Sequence, residues 1–376
     1  MFITIAASVV CHDTGKCSRL LLFNGQKLST FQGTATRFEN GSWKMITESA
    51  IRTTFEDGPA KGLSVIKSEI LSPDLKAGQE FDQLVVSWNA HCPQGSFVTI
   101  EARAKEGEEW TKWYSLGYWA EDDSVIRKTS IKGQKDTDGD VDTDTLVLAK
   151  PSRVAQVRVG LFAMQSESPT ISLVSCDFSL SGTKPVEGRA VRRAIPIALP
   201  VPEISQRSYP PNGDVWCSPT SVAMVLNYWA EKMKNPLWKK DVTETAPAIH
   251  DEAWGGTGNW TFNTAYAGSL PGLTAYCCRF NSLSQLDGWI TKGIPVILSV
   301  SANTLHGNGS PGGGGHLIVC VGFDEHGDVV ANDPYAALDK GEKIRCTYKR
   351  DKLFQAWRSS LGMTYLIYPS DLVPKP

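Results

Sequence analysis

VWCSPTSVAMVLNYWAEKMK, residues 215–234, is the stretch on which the reading of this chain turns. Val222, Val225, Leu226 and Trp229 fall at the i, i+3, i+4, i+7 spacing of one helical face, which predicts a helix over 218–234 with that face buried. Pro219 comes early in it, where a missing N–H costs nothing, so the helix starts at about Cys217. A thiol at a helix start meets the positive end of the helix dipole and free backbone N–H groups, both of which stabilise thiolate. The same position also suits a small core residue, so a nucleophile is argued only if partners can be found.

Working outward from the helix, 282–293 reads as a second helix with a Ser N-cap and a Gly293 stop. Strand-like IPVILSVS (294–301), HLIVCVGFD (316–324), DVVANDP (328–334), KIRCTYK (343–349) and MTYLIYP (363–369) follow, so the second half reads as α+β. The middle two form a hairpin around Glu325-His326-Gly327, in which cross-strand partners have numbers summing to about 651. Asp333 then falls opposite Ile318, one side-chain pair from His316. A carboxylate there fixes the tautomer of His316 and favours imidazolium, leaving the other ring nitrogen for a thiol. Gln206 is the one glutamine shortly upstream of Cys217, and its amide together with the Cys217 N–H would supply the oxyanion donors that amide hydrolysis needs. The candidate catalytic set is therefore Cys217, His316, Asp333 and Gln206.

Upstream the texture changes. FDQLVVSWNA (81–90), SFVTIEARA (96–104), WTKWYSLGYW (110–119), TLVLA (145–149), VAQVRVGLFA (154–163) and TISLVSCDFSL (170–180) are short, aromatic and β-branched, with turn-rich segments between them. They predict an all-β sandwich of two sheets over residues 1–185 as an accessory or binding domain. Residues 186–200 form a Pro-rich linker ahead of a catalytic domain over 201–376, and the Arg189, Arg192, Arg193 cluster reads as solvated linker ahead of a processing site or an acidic-partner contact. The apolar start FITIAASVV has no basic stretch before it and no small-x-small cleavage site after it, so it reads as a first strand. A cytoplasmic home and a secreted one with its leader removed both stay open.

The 376 residues carry 38 basic against 40 acidic side chains and 41% apolar residues. That balance offers no global handle for nucleic acid, and no window of about 18 apolar residues could span a bilayer. Nine cysteines are an odd number, so at least one thiol stays unpaired within the monomer. Cys277, Cys278 and Cys320 lie in apolar settings and read as core. The alternate aspartates of DTDGDVDTD (136–144) lack the Gly and Glu positions of a calcium loop and read as a solvated acidic turn. The glycines at 312–315 precede no Gly-Lys-Ser/Thr and are not a phosphate loop. His306, His316 and His326 stand ten apart with no zinc spacing, so neither a metal nor a cofactor is expected. Trp88, Trp110, Trp113 and Trp119 read as core before they read as a glycan-stacking surface, and a glycan or protein contact through the first domain is kept as the weaker expectation.

VPEISQ, WCSPTSVAMVLNYW, GGTGNWTFNTAYAGSLPGLTAY, GIPVILSVS, GGHLIVCVGFDEHGDVVANDPYA and AWRSSLGMTYLIYP together resemble the papain-like cysteine peptidases of the bacteriocin leader-processing (double-glycine) group, in their stand-alone bacterial C39-like form. The likeness covers about residues 200–370. It implies a papain-like peptidase domain acting on peptide or protein through a Cys-His-Asp triad and an acyl-enzyme, with Cys217 as nucleophile, His316 as base, Asp333 as orienter and Gln206 as oxyanion donor. The family's glycine after the cysteine is Ser218 here, and no transporter is attached, so double-glycine specificity is not carried over. Cell-wall peptide cleavage or transglutaminase-like acyl transfer with the same triad remains open, as does a non-catalytic binding protein on a papain-like shell.

Overall fold

The computed structural model describes residues 17–188, 196–307, 310 and 312–372. The chain start read as a strand and the Arg189, Arg192, Arg193 cluster lie outside these residues.

The first half is strand-rich, but its strands do not form two separate sheets. Thirteen strands among the described residues belong to one hydrogen-bonded network. The reason lies in its long strands, β1 (Leu75–His91), β2 (Thr145–Ala163) and β3 (Thr170–Ser179). The segments 145–149 and 154–163, read as two strands, are the single strand β2. Its first residues pair with β1 and with Gly139–Asp142, whereas from Ala155 onward it pairs with Ser96–Glu106, and from Arg158 with Ser64–Leu71 on its other edge. Register shifts around Ser152 mark where it bends. One bent strand thus serves both faces and joins them. Trp88 and Trp119 are fully buried in this domain's core. Trp110 and Trp113 are half-buried instead, with the Arg103 guanidinium 4.5 and 4.4 Å from their ring centres.

The second half is α+β. Helix α1 (Cys217–Lys232) forms where the apolar spacing placed it, and Val222, Val225, Leu226 and Trp229 are each at most 1% exposed. The sequence reading missed Val242–Ala248, α2 (Trp260–Ser269), Ala302–His306 and Arg350–Trp357. In α2 the reason is plain: Thr261, Phe262, Asn263, Thr264 and Ala265 are all buried, so no polar stripe marks a helical period. Strand β4 (Leu273–Arg279) was missed as well, while α3 (Leu283–Thr291) matches its prediction. Strands β5 (Val296–Ser301), β6 (Gly315–Phe323), β7 (Val329–Asn332) and β8 (Met363–Pro369) complete an antiparallel sheet ordered β4-β8-β5-β6-β7, with Arg345–Tyr348 beyond β7 and Ile197–Ala198 paired to the end of β6.

Strand β4 is an edge, and an uncovered edge leaves a row of unpaired backbone groups. Here the first domain covers it with side chains. Asn89 of β1 donates to the Ala275 carbonyl at 2.6 Å and accepts from the Ala275 N–H at 3.1 Å. Ser87 accepts from the Cys277 N–H at 2.8 Å, and Asp177 of β3 accepts from the Arg279 N–H at 2.9 Å. Ala275, Cys277 and Arg279 are alternate residues, so these are the groups that face away from β8. Phe262 of α2 packs edge-on against Trp88 and Trp119, with ring centres 6.1 and 5.5 Å apart, which places a residue of the second half in the core of the first.

Candidate active site

Cys217 is the first residue of α1, and no side chain caps that helix start, so the backbone donors there are left for a ligand. The helix is fixed against β6 by Ser221, whose hydroxyl donates to the Leu317 carbonyl at 3.2 Å. The residue just before Leu317 on β6 is His316. Ser218, where the resembled family has glycine, is buried and donates to Asn263 at 2.9 Å with the Tyr365 hydroxyl 3.2 Å away, so its hydroxyl is satisfied.

The hairpin register is the one read from the sequence: Val319 faces Asn332 and Cys320 faces Ala331. Asp333 follows immediately, and its Oδ1 accepts from His316 Nε2 at 2.8 Å and from the Tyr335 N–H at 2.9 Å. With Nε2 committed to the carboxylate, Nδ1 is the nitrogen left for the thiol, and Cys217 is among the groups that raise the His316 imidazole. Burial pushes His316 down, but the charge and hydrogen bond of Asp333 and the contact with Cys217 outweigh it and raise the imidazole to about 10. Burial likewise works against the Asp333 anion; the charge of His316 and hydrogen bonds from His306, His316 and Tyr348 overcome it and hold the carboxyl well below the usual range.

Two of those partners had no signal in the sequence. The Tyr348 hydroxyl donates to Asp333 Oδ2 at 2.6 Å, and His306 Nε2 lies 3.4 Å from the same oxygen. The spacing argument kept His306 and His316 apart, but the β5–β6 connection folds back at its base, where the Ala302 N–H donates to the Gly314 carbonyl at 2.7 Å. It returns His306 to the cluster, so the donor atoms of His306, His316 and Asp333 lie within 4.8 Å of one another, a grouping that could hold a metal ion and that linear spacing had dismissed. His326 stays away at the exposed hairpin tip.

Gln206 is 1% exposed and donates one Nε2 hydrogen to the Gly213 carbonyl at 2.7 Å. A side chain at 213 would run into the Gln206 carbonyl, so glycine is required for this approach. The Gln206 N–H bonds to the Pro334 carbonyl at 2.8 Å, which ties this segment to the Asp333 turn. Cys217, His316 and Gln206 all open onto a cavity of about 790 Å³. The cleft is not blocked. The expected solvated acidic turn forms part of its wall: Asp142 and Asp144 line the cavity, and Asp144 is buried, not solvated. Cys277, Cys278 and Cys320 are core as expected, and burial pushes Cys17 and Cys320 up to about 12 and the half-buried Cys346 up to about 11.

Among the described residues no helix is long and apolar enough to cross a membrane. No curated protein matches the chain. A crystal structure of a C39-like peptidase from Bacillus anthracis aligns with 46% of this chain and 98% of its own at 21% identity, with a TM-score of 0.32. Residues 24–179 match the model of the peptidase C39 N-terminal domain, and residues 198–363 match that of the peptidase C39-like family. Both matched regions are thus similar to domains of the C39-like peptidases, and the chain is consistent with a member of that family.

Proposed function

We propose that this protein cleaves peptide bonds by covalent thiol catalysis on a papain-like α+β scaffold, with Cys217 as nucleophile, His316 as proton shuttle, Asp333 as orienting anion, and Gln206 with the Cys217 N–H as oxyanion donors. The observation that carries the reading is the convergence of a helix-start thiol, an imidazole and a buried carboxylate 2.8 Å from that imidazole beside one open cavity. Sγ attacks the substrate carbonyl carbon, and the carbonyl electron pair moves onto oxygen. The Gln206 amide and the Cys217 N–H stabilise that oxyanion, each donor contributing roughly 3 kcal/mol. Collapse expels the amine, which takes a proton from His316 and leaves a thioester on Cys217. Neutral His316 then removes a proton from water as it attacks the thioester, and a second collapse releases the acid and restores the thiolate.

The test is turnover of a peptide library by wild type and by Cys217→Ala. Wild type is expected to cleave members of the library, and the variant none. Cleavage that persists in Cys217→Ala would sink the reading, and product analysis with an added amine separates hydrolysis from acyl transfer.

A further inference from the structure

The first domain does more than cover an edge: its turn after Gly139–Asp142 enters the cleft. Asp142, Thr143, Asp144 and Thr145 all line the cavity that Cys217 opens onto. The turn is held from inside. Asp144 Oδ2 accepts from the Trp260 N–H at 2.5 Å, at the start of α2, and Oδ1 accepts from the Thr145 hydroxyl at 3.1 Å. The Asp144 N–H bonds to the Asp142 carbonyl at 2.7 Å, and Thr143 between them takes a left-handed φ of 59°, uncommon for a β-branched residue. Asp144 is thus the anchor, and the charge of Arg279 also acts on it. Asp142 is exposed and has no ion-pair partner among the described residues.

The surroundings of Asp142 suit one kind of ligand. The described residues lining the cavity include three carboxylates, Asp142, Asp144 and Asp214, and neither lysine nor arginine, although the chain as a whole is nearly balanced. Asp214 has a cation nearby, Arg207, at 3.9 Å on the rim. Two indoles share the wall, Trp254 and Trp260, and Trp254 is 45% exposed although it is a large aromatic side chain. On the wall beside the thiol, the buried Gln206 keeps its Oε1 without a hydrogen-bond partner among the described residues, an acceptor with no donor. A carboxylate with aromatic faces inside a cavity holds the aliphatic stem of a long cationic side chain on the rings and its charge on the acid.

Resting on the peptidase reading, we propose that the Asp142 turn of the first domain and the Trp254–Trp260 wall form a subsite that selects a lysine or arginine side chain on the peptide substrate. The probes are N-acetylated hexapeptide amides in which each position in turn is Lys, Gln or Glu. Wild type and Asp142→Asn are compared by kcat/KM, and Cys217→Ala with and without Asp142→Asn by dissociation constant. At one position Lys is expected to exceed Gln by about fivefold, the scale of one partly exposed charge contact, with Glu worst. The gap closes in Asp142→Asn, and the Lys–Glu order inverts in Asp142→Lys. Peptides cleaved with no Asp142-dependent charge preference would overturn the subsite and leave the peptidase reading standing. No cleavage by wild type, with an Asp142-dependent lysine preference in binding to Cys217→Ala, would overturn the peptidase reading and leave the subsite standing. No Asp142-dependent preference in either assay overturns the subsite.

Discussion

Asp177 with Arg279 and Asp333 with His316 are both buried carboxylate–cation pairs, at 3.0 and 2.8 Å, yet they differ in what lies beyond them. Asp177 is 0% exposed, its oxygens take the Arg279 backbone N–H and guanidinium, and that guanidinium also donates to Gln83 at 3.2 Å. Neither residue reaches the cavity. Burial raises the Asp177 carboxyl against the charge and hydrogen bonds of Arg279, whereas Asp333, with His306 and Tyr348 added to His316, is held low. The first pair joins two domains. The second leaves one imidazole nitrogen for a thiol beside an open cleft. Burial and pairing alone therefore mark architecture, and chemistry is marked by a pair that still has an unspent site facing space.

The largest effect expected from this contrast is on stability. Arg279→Ala leaves the Asp177 charge buried without its guanidinium partner, so unfolding in urea should show a loss of about 3–5 kcal/mol. A loss under about 1 kcal/mol would mean that the interface pair is not structural and would break the comparison.

Asp333→Asn should act on rate and pH. With the orienting anion gone, kcat/KM is expected to fall by about 10²- to 10⁴-fold while the variant stays folded. In the proposed mechanism His316 gives a proton to the leaving amine, so activity should persist upward in pH until that imidazole, raised to about 10, loses its proton. Removing the anion that raises it moves the alkaline limb to lower pH, by at least about one unit. The stability linkage has matching signs. His316, raised above its ordinary 6.5, contributes in full below that pH and loses its contribution as pH rises towards about 10. Asp333, lowered from its ordinary 3.8, contributes in full above that pH and loses its contribution as pH falls further. An alkaline limb that does not move in Asp333→Asn would remove Asp333 from the orienting role.

The same contrast separates what the sequence made legible from what it did not. Helix α1 could be read because its buried face repeats at 3.6 residues, and the Val319–Asn332 register because a short hairpin leaves little freedom in pairing. Both are local, and both place parts of the Cys217–His316–Asp333 set. Long-range closure could not be read. His306 and Tyr348 reach Asp333 from other elements, and Asn89, Ser87 and Asp177 meet β4 across about a hundred residues or more of chain. Nothing in the alternating aspartates of 136–144 distinguishes the solvated ones from Asp144, whose burial comes from the Trp260 N–H 116 residues later. The two-sheet expectation failed for a related reason: short β-rich segments reveal strands but not a single strand bent through Ser152.

Direct capture of the covalent intermediate tests the central claim most closely. Wild-type protein mixed with a peptide it cleaves, quenched in acid within a turnover and analysed by intact mass and peptide mapping, should carry the acyl half of that peptide on the fragment containing Cys217, and Cys217→Ala should carry none. An acyl group on a different residue, or cleavage by Cys217→Ala at the wild-type rate with no adduct at all, would contradict the account.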